Sequence, residues 1–221
     1  MKQTLKTMGL RVSLGILLCA SALTSTAQNS GPLSKIYLQT GAGGGSHKSN
    51  DFDLGVKTIL NDKWSMNLSY KSLEMRPKNL PSDYQPETGY IFFIPYTTEV
   101  TSNMSLVSLT AGRYFKLGKN FWATTEGGLS YVKGEKVNFD RTQVTSSNII
   151  IVATTTSNYS TTKENRSAVG AMFQADVNWA FASFMGLGAG VYTNINSIQS
   201  PVGFNVKLLI GKMGKEKKHK H

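Results

Sequence analysis

The stretch Trp64-Ser-Met-Asn-Leu-Ser-Tyr-Lys71 decides how this chain is read. Trp64, Met66, Leu68 and Tyr70 alternate with Ser65, Asn67, Ser69 and Lys71. Successive side chains of a β-strand point to opposite faces, so this segment has one apolar wall and one polar wall. The same period of two recurs along the chain. Phe52, Leu54 and Val56 oppose Asp53, Gly55 and Lys57. Val169, Ala171, Phe173, Ala175, Val177 and Trp179 oppose Gly170, Met172, Gln174, Asp176 and Asn178. Val202, Phe204, Val206, Leu208 and Ile210 oppose Gly203, Asn205, Lys207, Leu209 and Gly211.

Segments 36–43, 104–117, 121–132 and 185–195 complete a set of about eight strands, many near ten residues long. In 104–117 either phase leaves Arg113 or another polar group awkwardly placed. Asn61 to Lys63, Gly118 to Asn120 and Ala180 to Ser183 read as tight turns. They alternate with longer connections over 44–51, 75–102, 133–166 and 196–201. Outside the first residues there is no apolar run long enough for a transmembrane helix. The expected fold is therefore all-β: an eight-stranded antiparallel up-and-down transmembrane barrel with short periplasmic turns and long extracellular loops. An even strand count puts both ends of the barrel segment on the short-turn side.

Aromatic residues set the orientation. Trp64, Trp122 and Trp179 lie beside the short turns, together with Phe115, Phe121, Phe181 and Phe184. Such a cluster reads as an interfacial belt, because these rings join an apolar body to a polar edge. Phe52, Tyr131, Tyr192 and Phe204 supply a second girdle at the opposite ends. A lipocalin-like soluble barrel alternates equally well. It gives no reason to gather every tryptophan at one rim. The glycines of 41–45, with Gly186, Gly188 and Gly190, also suit a crowded polar interior.

With the polar face inward, the lumen holds Asp53, Lys57, Lys71, Glu126, Gln174, Asp176 and Lys207. Charges of both signs in a narrow cylinder must pair, and eight strands leave room only for side chains. A salt-bridged plug is therefore expected over a selective pore. Outside the barrel, two segments stand out as candidate contact patches. One is Tyr90, Ile91, Phe92, Phe93, Ile94 and Tyr96; the other is Ile149, Ile150, Ile151 and Val152 within the β-branched run 148–156. The first is an apolar loop surface, or a strand extension packed on a neighbouring loop. The second reads as a hairpin above the membrane whose edge can accept a partner strand.

Leu109-Thr-Ala-Gly-Arg-Tyr-Phe115 runs into a short turn and Phe121 to Tyr131 follows it. With the strand spacing, these features resemble the small outer-membrane barrels of the outer-membrane protein A and X type, often filed as porin-family proteins. The resemblance implies adhesins, surface-defence proteins or narrow pores rather than one activity. Such chains commonly end at a terminal aromatic, whereas here Ile210 precedes a basic tail, with Phe204 the nearest substitute.

The remaining expectations concern export and chemistry. Lys2, Lys6 and Arg11 precede an apolar run over 12–23 and the small residues Ser25-Thr-Ala27, so residues 1–27 read as a signal peptide cleaved after Ala27. Residues 28–211 form the barrel and 212–221 a basic disordered tail. The only cysteine, Cys19, lies in the signal behind Leu18, a poor lipoprotein context, so no disulfide or thiol chemistry is expected. Of the formal charge of +11, about +8 remains after cleavage, roughly half of it in the tail. That distribution does not make a nucleic-acid groove. The expected partners are outer-membrane lipid and, through the loops, surface proteins or host ligands, with the barrel a monomer. No cofactor or metal is expected, since His219 and His221 alone do not make a site. His47, near Ser46, Ser49 and Asp51, is the only histidine outside the tail. It leaves a lipid-modifying enzyme as a remote alternative to a non-enzymatic barrel, after a narrow solute channel.

Overall fold

The computed structural model describes residues 33–46, 49–91, 94–144, 146–149 and 152–213. The signal segment, His47, Phe92, Phe93, Ile150, Ile151 and the end of the tail lie outside these residues. Eight strands close a barrel: β1 (Leu33–Gly45), β2 (Ser49–Leu60), β3 (Trp64–Met75), β6 (Ser102–Lys116), β7 (Phe121–Arg141), β10 (Tyr159–Ala180), β11 (Met185–Ile195) and β12 (Val202–Lys212). Every neighbouring pair is antiparallel, and β1 seals the ring against β12 from Ile36↔Lys212 to Gly45↔Gly203. Four shorter strands, β4 (Glu87–Ile91), β5 (Ile94–Thr98), β8 (Ser146–Ile149) and β9 (Val152–Thr155), form a second sheet outside the ring.

Three tight turns join β2 to β3, β6 to β7 and β10 to β11 at one end. The first is legible in local chemistry. Asn61 and Asp62 have φ of 53° and 51°, and the Lys63 N–H donates to the Leu60 carbonyl at 3.0 Å. Two left-handed central residues make the turn that matches the twist of a hairpin, and Asn and Asp tolerate that region best after glycine. Met213 is buried at this end and donates its N–H to the Ser183 carbonyl at 2.9 Å, so the described chain packs one residue beyond β12.

The connections at the other end are shorter or more ordered than the sequence implies. Segment 44–51 is mostly strand, because β1 and β2 stay paired to Gly45↔Ser49. Segment 133–166 is not an open loop: β7 and β10 remain paired to Arg141↔Tyr159 and rise well above the ring. The 133–166 run carries the β-branched and aromatic residues that extend a ladder once one is established, among them Val137, Phe139, Tyr159, Thr161 and Thr162.

Exposure is inverted relative to a soluble barrel. Leu68, Leu109, Leu129, Val169 and Val206 are exposed, whereas Lys57, Lys71 and Lys207 are fully buried. On β10 the outward apolar series runs from Trp179 to Val169, about 33 Å along the strand at ~3.3 Å per residue. A tilt of about 40° reduces that to roughly 25 Å, the height of the apolar band in outer-membrane barrels. Arg113 resolves the awkward phase of β6. It faces outward at the turn end, its guanidinium 4.2 Å from the Trp64 ring centroid, where its register partner is Trp64.

Candidate functional site

Inside the ring the lumen side chains form one chain of alternating charge. Lys71 Nζ lies 2.6 Å from Asp53 Oδ2, and Lys207 Nζ lies 3.5 Å from the same oxygen. Lys207 also reaches Asp176 Oδ1 at 2.7 Å, and Lys57 holds Asp176 Oδ2 at 2.6 Å. Lys57 then reaches Glu126 Oε1 at 2.9 Å. Glu126 Oε2 accepts hydrogen bonds from Thr110, at 3.0 Å, and from Gln174. Asn205 donates to Asp53 at 3.0 Å, and Lys57 donates to Thr124 at 3.1 Å. Three ammonium groups and three carboxylates thus neutralise one another with almost no contact to solvent. Such pairs tolerate burial because five of the six charges keep more than one polar partner, and Lys71 adds the Tyr192 ring, 4.5 Å from its Nζ, to Asp53.

Glycines make the space. A Cβ at Gly190 would stand 2.0 Å from Asp176 Oδ1, and one at Gly41 would stand 2.9 Å from Lys207 Cγ. Any side chain at these inward positions competes with the network for volume.

The charged layer is closed above and below by apolar side chains, most of which the sequence reading does not single out. Toward the turn end Tyr37, Ile59, Tyr114, Trp122, Ala180, Leu209 and Met213 pack together. Toward the loop end Leu73, Met75, Met104, Leu106, Val132, Met172 and Tyr192 do the same, with Ile198 over them. All but Ile198 and Met213, which lie outside the strands, follow the inward phase of their strands, which is the signal that finds them.

Two aromatic assignments need correction. Trp122 is 1% exposed and lies inside the barrel, not in the belt. Its neighbour Phe121 faces outward, and adjacent strand residues cannot share a face. Trp122 instead packs edge-on to Tyr37 at 6.1 Å and donates to its hydroxyl at 3.4 Å. Tyr192 likewise leaves the second girdle: it is buried and donates to Asp51 Oδ2 at 2.5 Å. Trp64, Phe115, Phe121, Trp179, Phe181 and Phe184 do face outward at the turn end. Phe121 stacks on Trp179 at 5.8 Å.

Above the ring the two loop segments come together. β4 pairs with β5, β8 with β9, and Thr88↔Thr155 to Ile91↔Val152 join the two hairpins in the order β5-β4-β9-β8. The edge of the second hairpin is therefore met by a strand of the same chain. Tyr90 and Ile94 are 57% and 69% exposed and Tyr96 is half-buried. Ile91, Ile149 and Val152 are placed by their backbone pairing, and Phe92, Phe93, Ile150 and Ile151 lie outside the described residues.

Beneath this sheet the first loop is clamped to the β7–β10 hairpin. Asp83 accepts from Arg141 at 2.6 Å and from the Tyr159 hydroxyl at 2.8 Å. Asn158 donates to the Asp83 carbonyl at 2.7 Å, and Tyr84 packs on Phe139 at 5.9 Å. The Tyr159 hydrogen bond and then the Arg141 charge hold the Asp83 carboxyl below the usual carboxylate range. The described residues contain no group of three or more metal-ligating side chains.

The closed strand order and the outward apolar wall decide the class. The chain is an eight-stranded membrane β-barrel. No protein-family profile matches the sequence, and no characterised protein matches it by sequence. Among solved structures, the N-terminal β-barrel domain of Pseudomonas aeruginosa OprF is similar at 13% identity and a TM-score of 0.46, over 80% of this chain and 97% of that one. Neisserial surface protein A is similar at 12% identity and a TM-score of 0.44, over 81% and 94%. Ail, the attachment invasion locus protein of Yersinia pestis, is similar at 12% identity and a TM-score of 0.42, over 80% and 94%.

Proposed function

We propose that this protein is a non-enzymatic outer-membrane barrel that presents its loop sheet as a contact surface. In this reading residues 1–27 direct export, the tight turns face the periplasm, and the sheet stands outside the cell. The observation that carries it is the sheet order β5-β4-β9-β8. β5 and β8 end that order, and a strand with one neighbour keeps a row of backbone donors and acceptors for a partner strand. Exposed Tyr90 and Ile94 add apolar area beside that edge. The clamp through Asp83, Arg141 and Tyr159 would hold the sheet in place for binding. The partner is a surface or host protein able to add a strand.

Deleting residues 90–96 and 148–156 separately, in cells that display the protein, tests the proposal. Each deletion is expected to abolish adhesion to the protein-coated surface that the wild type binds, while the heat-shifted folded band persists in detergent gels. Adhesion that survives both deletions overturns it.

The charged lumen by itself would suit a narrow channel. The two apolar layers that bracket it favour a plug, because a permeating solute would have to displace both. Planar-bilayer recordings of the wild type, Glu126→Gln and Lys207→Met are expected to be silent.

A further inference from the structure

Charge is divided unevenly between the two ends of the barrel. Toward the loop end, among the described residues, seven Lys and Arg side chains meet eight Asp and Glu side chains, the buried Asp51 included. The lumen network is neutral. At the turn end, Lys35, Lys63, Arg113, Lys116, Lys119 and Lys212 meet a single carboxylate, Asp62. The positive surplus of the described barrel therefore sits in one collar.

The height of the collar identifies what it meets. Arg113 lies on the outer wall against Trp64, level with the aromatic belt, and Lys212 is exposed two residues beyond the outward Ile210. Belt aromatics sit where acyl chains give way to headgroups. Cations at that level and just beyond it stand opposite lipid phosphates. A polymer or protein beneath the membrane could touch Lys63 and Lys119 at the turn tips. It could not reach Arg113 on the lipid-facing wall.

We propose that this collar binds anionic phospholipid headgroups of the leaflet at the turn end, selecting them as neighbours of the barrel. The proposal rests on the membrane-spanning fold and is independent of the loop-sheet reading.

The test uses the full chain reconstituted in phosphatidylcholine vesicles with traces of spin-labelled phosphatidylglycerol or phosphatidylcholine. Electron paramagnetic resonance gives the relative association of the two lipids with the barrel. Phosphatidylglycerol is expected to be preferred by about threefold at low salt, falling toward parity near 1 M salt as screening shortens to a few ångström. Arg113→Gln/Lys116→Gln/Lys119→Gln/Lys212→Gln should abolish the preference. Lys133→Gln/Lys136→Gln/Lys163→Gln, at the other end, should retain it. Should the collar variant fail to insert, the salt dependence of the wild type and the retained preference of the loop-end variant decide the matter. Equal association of the two lipids with the wild type overturns the proposal, as does loss of preference in the loop-end variant. Wild-type binding to purified murein sacculi without lipid preference also overturns it, assigning the collar to the cell wall.

Discussion

The indole of Trp122 directs its Nε1 at the hydroxyl of Tyr37, 3.4 Å away, inside the barrel. Trp64 and Trp179 sit on the outer wall. Quenching by brominated lipid should separate the two environments. A Trp64→Phe/Trp179→Phe variant, lit only by Trp122, is expected to keep most of its emission in brominated vesicles. Trp122→Phe is expected to lose most of it. Strong quenching of the Trp122-only protein would reverse the phase assigned to β7.

That contrast shows what alternation can and cannot reveal. In Trp64 to Lys71 the polar and apolar sets separate cleanly, so the strand, its inward face and the position of Lys71 all follow from the sequence. Trp122 is harder because Phe121, Trp122 and Ala123 are all apolar, and nearness to a turn is a weaker guide than parity. The partners of Asp53 and Asp176 are harder still. Lys207 reaches both only because ring closure brings β12 across the lumen, and nothing local encodes that closure. The sheet β5-β4-β9-β8 was legible as two β-prone segments, yet their pairing spans more than fifty residues of chain.

Asp176 is held on both oxygens, by Lys207 at 2.7 Å and Lys57 at 2.6 Å. Asp176→Asn removes the shared counter-charge while leaving both ammonium groups buried, a change that costs about 3–5 kcal/mol in buried pairs. Urea unfolding in detergent–lipid mixtures should register a loss of that size. Replacing Lys207 and Asp176 together, by Met and Leu, should cost less than the sum of the single changes, since Lys57 keeps Glu126. A single-variant loss below about 1 kcal/mol would mean that the network adds little to stability.

Gly190 and Gly118 offer a matched pair of glycine-to-alanine changes. A Cβ at Gly190 would lie 2.0 Å from Asp176 Oδ1 and 2.9 Å from the Ala175 carbonyl oxygen. At Gly118 the nearest neighbour would be Phe121 Cβ at 3.8 Å. Gly190→Ala is expected to destabilise the barrel by about 1–3 kcal/mol through overpacking, with Gly118→Ala near neutral. The same unfolding assay reads both, and equal effects would contradict the crowding of the lumen.

The clamp at Asp83 should respond to acid. Its carboxyl is held below the usual range by the Tyr159 hydroxyl and the Arg141 guanidinium, so the folded loop favours the ionised form. A depressed carboxyl contributes fully above its unfolded value, near pH 4, and that contribution is lost as pH falls through the lower folded value. Hydrogen exchange around Ser157 to Tyr159, corrected for intrinsic rates, should therefore be flat from pH 7 to about 4.5 and accelerate below that. Asp83→Asn should show the fast exchange already at neutral pH, with the barrel strands unaffected. Acceleration near pH 6 would point to a different titrating group and remove Asp83 as the latch.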